Sequence, residues 1–326
     1  MHSLDDQDYL MKLKEIYQLA VEMGMEADPR GKQAVERDLR LTRKSYEKLE
    51  AEDKAFFDTE SLTNPYSDTR ILWGDPEKEV KRILVGIDIE AGELLLADRL
   101  REKGKEIDLV LAHHPEGRAF AALHQVMHIQ SDLLYQWGVP VNIAESIMAG
   151  RIKEVMRNVM PYNHQRPVDV ARLLEIPLMC CHTPSDNLVT SWLQKYLDEK
   201  QPETIADLLK VLKTIPEYAE AARQGAGPTI FVGDESRRCG RIFVDMTGGT
   251  GGSEDAYDEW AKAGVGTLVG MHISEKHRER AEKARVNVVI AGHIASDSLG
   301  MNLFLDRLEA AGIEIIPCSG LIRVKR

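Results

Sequence analysis

Half of the ten histidines in this chain stand at the ends of short apolar runs. They are His113, His114, His182, His272 and His293. Two of them are followed by an aspartate four residues later, in the pairs His182/Asp186 and His293/Asp297. Imidazole nitrogens and carboxylate oxygens are ligands that zinc, manganese, iron and nickel accept. Two carboxylates with three or more imidazoles suffice to hold two neighbouring ions, so the pattern predicts a dinuclear metal site.

The clearest of these runs is Leu109–Ala112, which is followed by His113, His114 and Pro115. A short run of Leu, Val and Ala predicts a buried strand, and the proline ends it. Open α/β sheets hold their ligands at the carboxyl ends of their strands, so both imidazoles are placed where a site is expected. The alternative explanation is a pair of hydrogen-bonded histidines in a loop.

The elements around this run form a strand–helix–strand unit. Residues 82–88 predict a first buried strand and residues 91–103 a helix, before the strand that ends at His113. Such a unit pairs its strands in parallel through a right-handed crossover. Strands and helices alternate again after residue 228, with a glycine run at residues 248–252. That run could cradle a phosphate ahead of a helix, but it lacks the Gly-Lys-Ser/Thr of a P-loop, so a tight turn of another purpose is an equal alternative.

Composition sets the class of protein. The 326 residues are 43% hydrophobic and 29% charged, which is typical of a soluble globular protein. No stretch approaches the ~20 apolar residues of a membrane span, and the start lacks the basic and apolar regions of a signal peptide, so we expect a cytoplasmic protein. The net charge of -11 disfavours nucleic acid as the main partner. The four cysteines form no Cys-x-x-Cys pair, so they indicate neither disulfides nor a thiolate zinc site.

Taken in order, the motifs HHP, HTxxD, a glycine-rich turn and GHxxxDSxG resemble those of the Nif-three-like family, also known as GTP cyclohydrolase I type 2 homologues. The resemblance covers about residues 64–326. It implies a dinuclear centre of two divalent ions, which would be zinc, iron, manganese or nickel. The ligands that it implies are His113, His114, Asp186, His293 and Asp297. Asp297 stands where the family has glutamate, and its side chain is one methylene shorter.

The resemblance also implies an architecture. We expect an α/β fold of two similar lobes with the metal site in the cleft between them. The predicted division is a helical N-terminal extension at residues 1–63, a first lobe with a helical insertion at residues 64–227, and a second lobe at residues 228–326. Family members form toroidal assemblies, so a homo-oligomer, a hexamer by resemblance, is expected.

For function, the family implies a metal-dependent hydrolase, with GTP ring opening as the reaction after which it is named. The expected substrate is a small molecule such as a nucleotide or a phosphate ester. His272 matches a family histidine near the metals, and we predict that it transfers a proton as general acid or base. The alternative is a non-catalytic metal-binding protein with a regulatory or interaction role.

Overall fold

The computed structural model describes residues 10–326 and contains two mixed β-sheets. In chain order the strands are β1 (Arg70–Trp73), β2 (Arg82–Gly86), β3 (Leu109–Ala112), β4 (Leu178–Cys180), β5 (Thr229–Val232), β6 (Arg241–Asp245), β7 (Val265–Gly270), β8 (Asn287–Ile290) and β9 (Glu314–Pro317). The first sheet has the order β1-β4-β3-β2-β9, and the second has the order β5-β8-β7-β6. In each sheet the first of these strands is antiparallel to its neighbour, and the others run parallel.

Helices cover both faces of both sheets. In chain order they are α1 (Leu13–Glu26), α2 (Lys32–Glu47), α3 (Ala51–Lys54), α4 (Ala91–Glu102), α5 (Gly117–Ala121), α6 (His128–Gln136), α7 (Val141–Val159), α8 (Arg166–Leu173), α9 (Thr183–Lys200), α10 (Ile205–Leu212), α11 (Pro216–Arg223), α12 (Ala256–Lys262), α13 (Glu275–Ala284) and α14 (His293–Ala310). Short 3-10 turns lie at Thr59–Leu62 and Leu123–Met127. None of the helices between residues 10 and 326 combines the length and the apolar character that a membrane crossing needs.

The central strands are mostly apolar because both of their faces are covered. All four residues of β3 and all four of β8 are buried. Helices α9 and α14 pack side by side and supply side chains to the cores of both sheets. Leu299 of α14 packs under the second sheet, whereas Phe304 packs under the first. This helix pair therefore joins the two lobes.

The predicted α/β fold of two similar lobes with N-terminal helices is confirmed. The division at residues 64 and 228 stays a prediction, and three segments cross it. Helix α1 buries Leu13 and Ile16 in the core of the first sheet. Helices α6 and α7 of the insertion pack on the outer face of the second sheet.

The C-terminal strand departs from the predicted division most clearly. We expected it in the second lobe, but β9 pairs in parallel with β2 at the edge of the first sheet. The physical reason is that β2 leaves an open edge there, and the end of α14 lies beside it because Phe304 and Leu308 pack in the first sheet's core. Strand β9 therefore belongs to the first sheet, although the predicted division counts it with the second lobe.

Candidate metal centre

The carboxyl end of β3 supplies two histidines to the candidate site. His113 is fully buried, and its Nδ1 lies 3.1 Å from the carbonyl oxygen of Cys181. Since a carbonyl only accepts, Nδ1 carries the proton and Nε2 is left with a free lone pair. That Nε2 has no hydrogen-bond partner and lies 3.5 Å from Asp186 Oδ1 and 3.4 Å from Asp297 Oδ1. His113 therefore presents one ligand atom to the two predicted carboxylates.

His114 is held in a similar way from the solvent side. Its Nδ1 lies 2.7 Å from Asp88 Oδ1, and its Nε2 lies 3.5 Å from Asp297 Oδ2. A carboxylate behind one ring nitrogen orients the ring and makes the other nitrogen a better ligand.

The start of α9 supplies His182 and Asp186, which lie one turn apart. His182 precedes the helix, and its Nδ1 lies 2.8 Å from Asp68 Oδ2. The hydroxyl of Thr183 donates to the same oxygen at 2.6 Å. The Nε2 atom of His182 lies 3.8 Å from Asp186 Oδ2, and Asp186 Oδ1 is buried without a hydrogen-bond partner. Both side chains therefore turn a free atom toward the same point.

The start of α14 supplies the equivalent pair, His293 and Asp297. The backbone of Gly292 has φ +121°, a conformation that favours glycine, and it turns the chain from β8 into the helix. Asp297 is fully buried, and neither of its carboxylate oxygens has a hydrogen-bond partner. His293 Nε2 lies 3.5 Å from Asp297 Oδ2.

A close helix contact fixes where these two pairs meet. Gly300 of α14 lies against the backbone of Ser185 in α9, and a Cβ atom on Gly300 would overlap the carbonyl oxygen of Ser185. Only glycine allows the two helices to approach this closely.

The candidate ligand atoms form three overlapping groups, in each of which all atoms lie within 4.8 Å of one another. The groups are His113, His114 and His182; His114, His293 and Asp297; and His113, Asp186 and Asp297. Buried polar atoms without partners are costly, and a cation would satisfy them all at once. Nitrogen and oxygen donors in this number fit divalent transition ions. These residues could therefore hold a metal ion.

The electrostatics of the group show what these side chains do without a cation. Burial raises the pKa of Asp186 to about 8 and lowers that of His113 to about 4. Burial opposes ionisation of His114 as well, but the carboxylates of Asp297 and Asp88 raise its pKa to about 10. Burial also opposes ionisation of Asp297, yet His113 and the other imidazoles hold its pKa well below the ordinary value. The carboxylates thus attract protons or cations into the group.

The structure brings together all five predicted ligands, and it adds two residues that the predicted ligand set lacks. His182 joins one of the three groups, and its pairing with Asp186 at four residues' distance was the signal that could have included it. Asp68, which orients His182, lies in a turn before β1 and carries no motif of its own. His272 is in none of the groups, but the centre of its ring lies 5.1 Å from that of His293.

Comparison with known structures identifies the fold. A NIF3 superfamily protein from Sphaerobacter thermophilus aligns with 95% of this chain and 99% of its own, with a TM-score of 0.73 and 26% sequence identity. This chain has the NIF3 fold. Reduced HcgD from Methanocaldococcus jannaschii aligns with 82% of this chain and 94% of its own, with a TM-score of 0.50 and 16% identity, which shows the fold alone. No family model and no curated protein matches the chain. The predicted resemblance to the Nif-three-like family is confirmed.

In this example of the NIF3 fold, a cavity of about 710 Å³ opens on the candidate ligands. His293 and Asp297 lie on its wall together with His272. Residues 249–252 of the glycine run and Arg151 of α7 line the same cavity. The candidate ligands are therefore within reach of a small molecule.

Proposed function

We propose that this protein is a metal-dependent hydrolase with a dinuclear centre at the end of this cavity. The observation that carries the proposal is the convergence of unpartnered ligand atoms from β3, α9 and α14 on an accessible cavity. His113, His114 and Asp297 each belong to two of the three groups, which supports two neighbouring ions. When bound, such ions supply an activated water and stabilise negative charge on the substrate. Zinc, iron, manganese and nickel all suit the donor set.

His272 is proposed as the residue that moves the proton. It lines the cavity, and none of the residues 10–326 forms a hydrogen bond with its ring. Burial, followed by the neighbouring His293, holds the pKa of His272 below its ordinary value. The ring is therefore neutral at pH 7 and can accept a proton from water and return it to a leaving group.

The glycine run is proposed to hold an anionic group of the substrate. Three side chains bind its carbonyl oxygens from behind, namely Gln130 at Gly248 and Thr250 (2.8 and 2.6 Å), Arg151 at Gly251 (2.9 Å) and His277 at Gly252 (3.0 Å). No acceptor within residues 10–326 binds the amide groups of Gly249, Gly251 and Gly252. Free amide groups in a glycine loop bind phosphate oxygens, and Lys276 on the same cavity adds positive charge. These features support a nucleotide or a phosphate ester as substrate.

A screen of the metal-loaded protein against nucleotides, phosphate esters and cyclic amides tests the proposal. We expect turnover by one of these classes, and His272→Gln should lower it by about 10²–10⁴-fold while metal content stays unchanged. Asp186→Asn serves as the control that loses metal and turnover together. If the metals stay bound, no class turns over and a protein partner is retained on an affinity column, the regulatory alternative replaces the hydrolase.

A homo-oligomer, toroidal by family resemblance, is also part of the proposal. It rests on the resemblance alone. Size-exclusion chromatography with light scattering tests it, and a monomer at micromolar concentration would contradict it.

A further inference from the structure

The proposed chemistry leaves Asp245, a carboxylate that lines the cavity, without a role. Asp245 is the last residue of β6, opposite Gly270 of β7, and its half-buried side chain lines the cavity. No hydrogen bond or ion pair joins its carboxylate to any residue between 10 and 326. Burial alone raises the pKa of Asp245 to about 7, so no cation of the protein lies close enough to stabilise its charge. A lone carboxylate at the wall of a cavity is costly unless a ligand completes it.

Two aromatic side chains line the same cavity as this carboxylate. Tyr257 is buried on the cavity wall, and burial, followed by the charge of Asp245, raises its pKa. Trp260 also lines the cavity and meets the ring of Tyr257 edge-to-face at 5.3 Å between ring centres. A carboxylate and aromatic rings in one cavity can bind a cation in two ways. The carboxylate accepts a charge-assisted hydrogen bond, and the ring faces form cation–π contacts.

Neither of the basic side chains Arg151 and Lys276, which line the cavity, pairs with Asp245. Arg151 binds the carbonyl of Gly251 and forms an ion pair with Glu154 at 2.9 Å. Neither Arg151 nor Lys276 contributes to the pKa of Asp245. The cavity is thus lined by the metal-ligand candidates and the glycine run. It is also lined by Asp245, a hydrogen-bond acceptor for which residues 10–326 provide no donor.

We propose that Asp245 binds a planar cationic nitrogen group, an amidinium or guanidinium, of the molecule that occupies the cavity. Such a group offers two parallel N–H donors to one carboxylate and a flat face to Tyr257. Asp245 then selects substrates that carry this group. The inference rests on the proposed function only in taking that molecule to be the substrate.

Binding of benzamidine tests this directly, because it needs no turnover. Isothermal titration of the metal-loaded protein should show that benzamidine binds at least about tenfold more tightly than neutral benzamide, as expected for hydrogen bonds to a charged group. Asp245→Asn should abolish this preference. Glu254→Gln, which removes an exposed carboxylate from the rim of the same cavity, should retain it.

A second measurement uses the unmodified sequence and so does not depend on the folding of a variant. Carbodiimide coupling of an amine to accessible carboxyl groups, followed by peptide mass spectrometry, should label Asp245 more slowly when benzamidine is present. Equal labelling with and without benzamidine overturns the proposal. So does a preference for benzamidine that survives Asp245→Asn, or tighter binding of benzamide, which would mean that the carboxyl group donates instead. Each of these results leaves the hydrolase proposal standing, since that depends on metal content and turnover.

Discussion

The two lobes have the same strand order but hold their metal-ligand candidates differently. An antiparallel edge strand and three parallel strands follow each other as β1-β4-β3-β2 in the first lobe and as β5-β8-β7-β6 in the second. The ends of β3 and β7 correspond, since Ala112 pairs with Gly86 of β2 as Gly270 pairs with Asp245 of β6. His113 and His114 of the first lobe are therefore matched by Met271 and His272 in the second. The second lobe thus lacks a counterpart of His113.

The helix pairs differ by one residue in register. His182 precedes the first turn of α9, whereas His293 is the first residue of α14. His182 has 9% of its side chain exposed, whereas His293 has 42%. The same His-x3-Asp spacing therefore buries both side chains in the first lobe, whereas in the second it buries Asp297 and leaves His293 partly exposed.

The imidazoles also differ in their support. The three histidines that the first lobe brings to the candidate site all have a partner for Nδ1, which is Cys181, Asp88 or Asp68. Within residues 10–326, the rings of His272 and His293 of the second lobe form no hydrogen bond. The comparison teaches that hydrogen bonds fix the orientation of the candidate-ligand imidazoles in the first lobe, while no such bonds hold the rings of His272 and His293 in the second.

The largest effect is expected on metal content, when Asp186 or Asp297 is replaced. Asp297 belongs to two of the ligand groups and Asp186 to one, so Asp297→Asn should lose both ions and Asp186→Asn one. Elemental analysis after gel filtration measures this. His128→Gln, a change on α6 outside the three groups, is the control and should keep full metal content. Equal losses from both aspartate variants would show that the lobes hold the ions equally.

Removing support from the first lobe should have an intermediate effect. Asp68→Asn weakens the hydrogen bond that orients His182, and loss of such a partner typically lowers metal affinity by about 10–100-fold. Asp88→Asn is the matched comparison at His114, and its effect should be smaller because the Asp88 side chain is 59% exposed. Competition with a chelator gives both affinities. An unchanged affinity in Asp68→Asn would mean that packing alone sets the orientation of His182.

The smallest effect is expected on the free energy of unfolding, after a change at the contact between α9 and α14. Gly300→Ala places a methyl group against Ser185, and overpacking of this kind costs about 1–3 kcal/mol. Gly150→Ala is the control, because Gly150 lies inside α7 with open space around it. That change should stabilise the protein by about 0.5–1 kcal/mol, as alanine favours a helix interior. Urea denaturation measures both, and an unaffected Gly300→Ala would show that α9 and α14 can separate without cost.

The strand ends that carry the candidate ligands could be predicted from the sequence because local residue patterns mark them. The apolar run before His113 and the pairs His182/Asp186 and His293/Asp297 mark strand ends, and parallel strands bring such ends to one edge. The role of His182 could be missed because a histidine near a strand end is also compatible with simple packing. Asp68 could not be found, since its contact with His182 joins segments 114 residues apart.

Long-range pairing limited the prediction of the fold in the same way. Strand β9 has the length and the apolar residues of a strand, but the sequence of Glu314–Pro317 does not indicate which strand it pairs with. Strand β1 has only four residues and begins with the buried Arg70, which binds Asp58 at 2.7 Å. Its place in the sheet depends on that ion pair and on β4, neither of which a local pattern contains.

The contact at Gly300 also has a consequence for which ions the protein can accept. Asp186 and Asp297 project from two helices whose spacing is set by backbone against backbone, and each helix is anchored in a large apolar core. The gap between the carboxylates is therefore a property of protein packing and not of the bound metal. An ion with longer bonds has to push the helices apart, and an ion with shorter bonds leaves its own bonds stretched. The crossing of α9 and α14 would therefore limit the radius of an ion that binds between the two carboxylates.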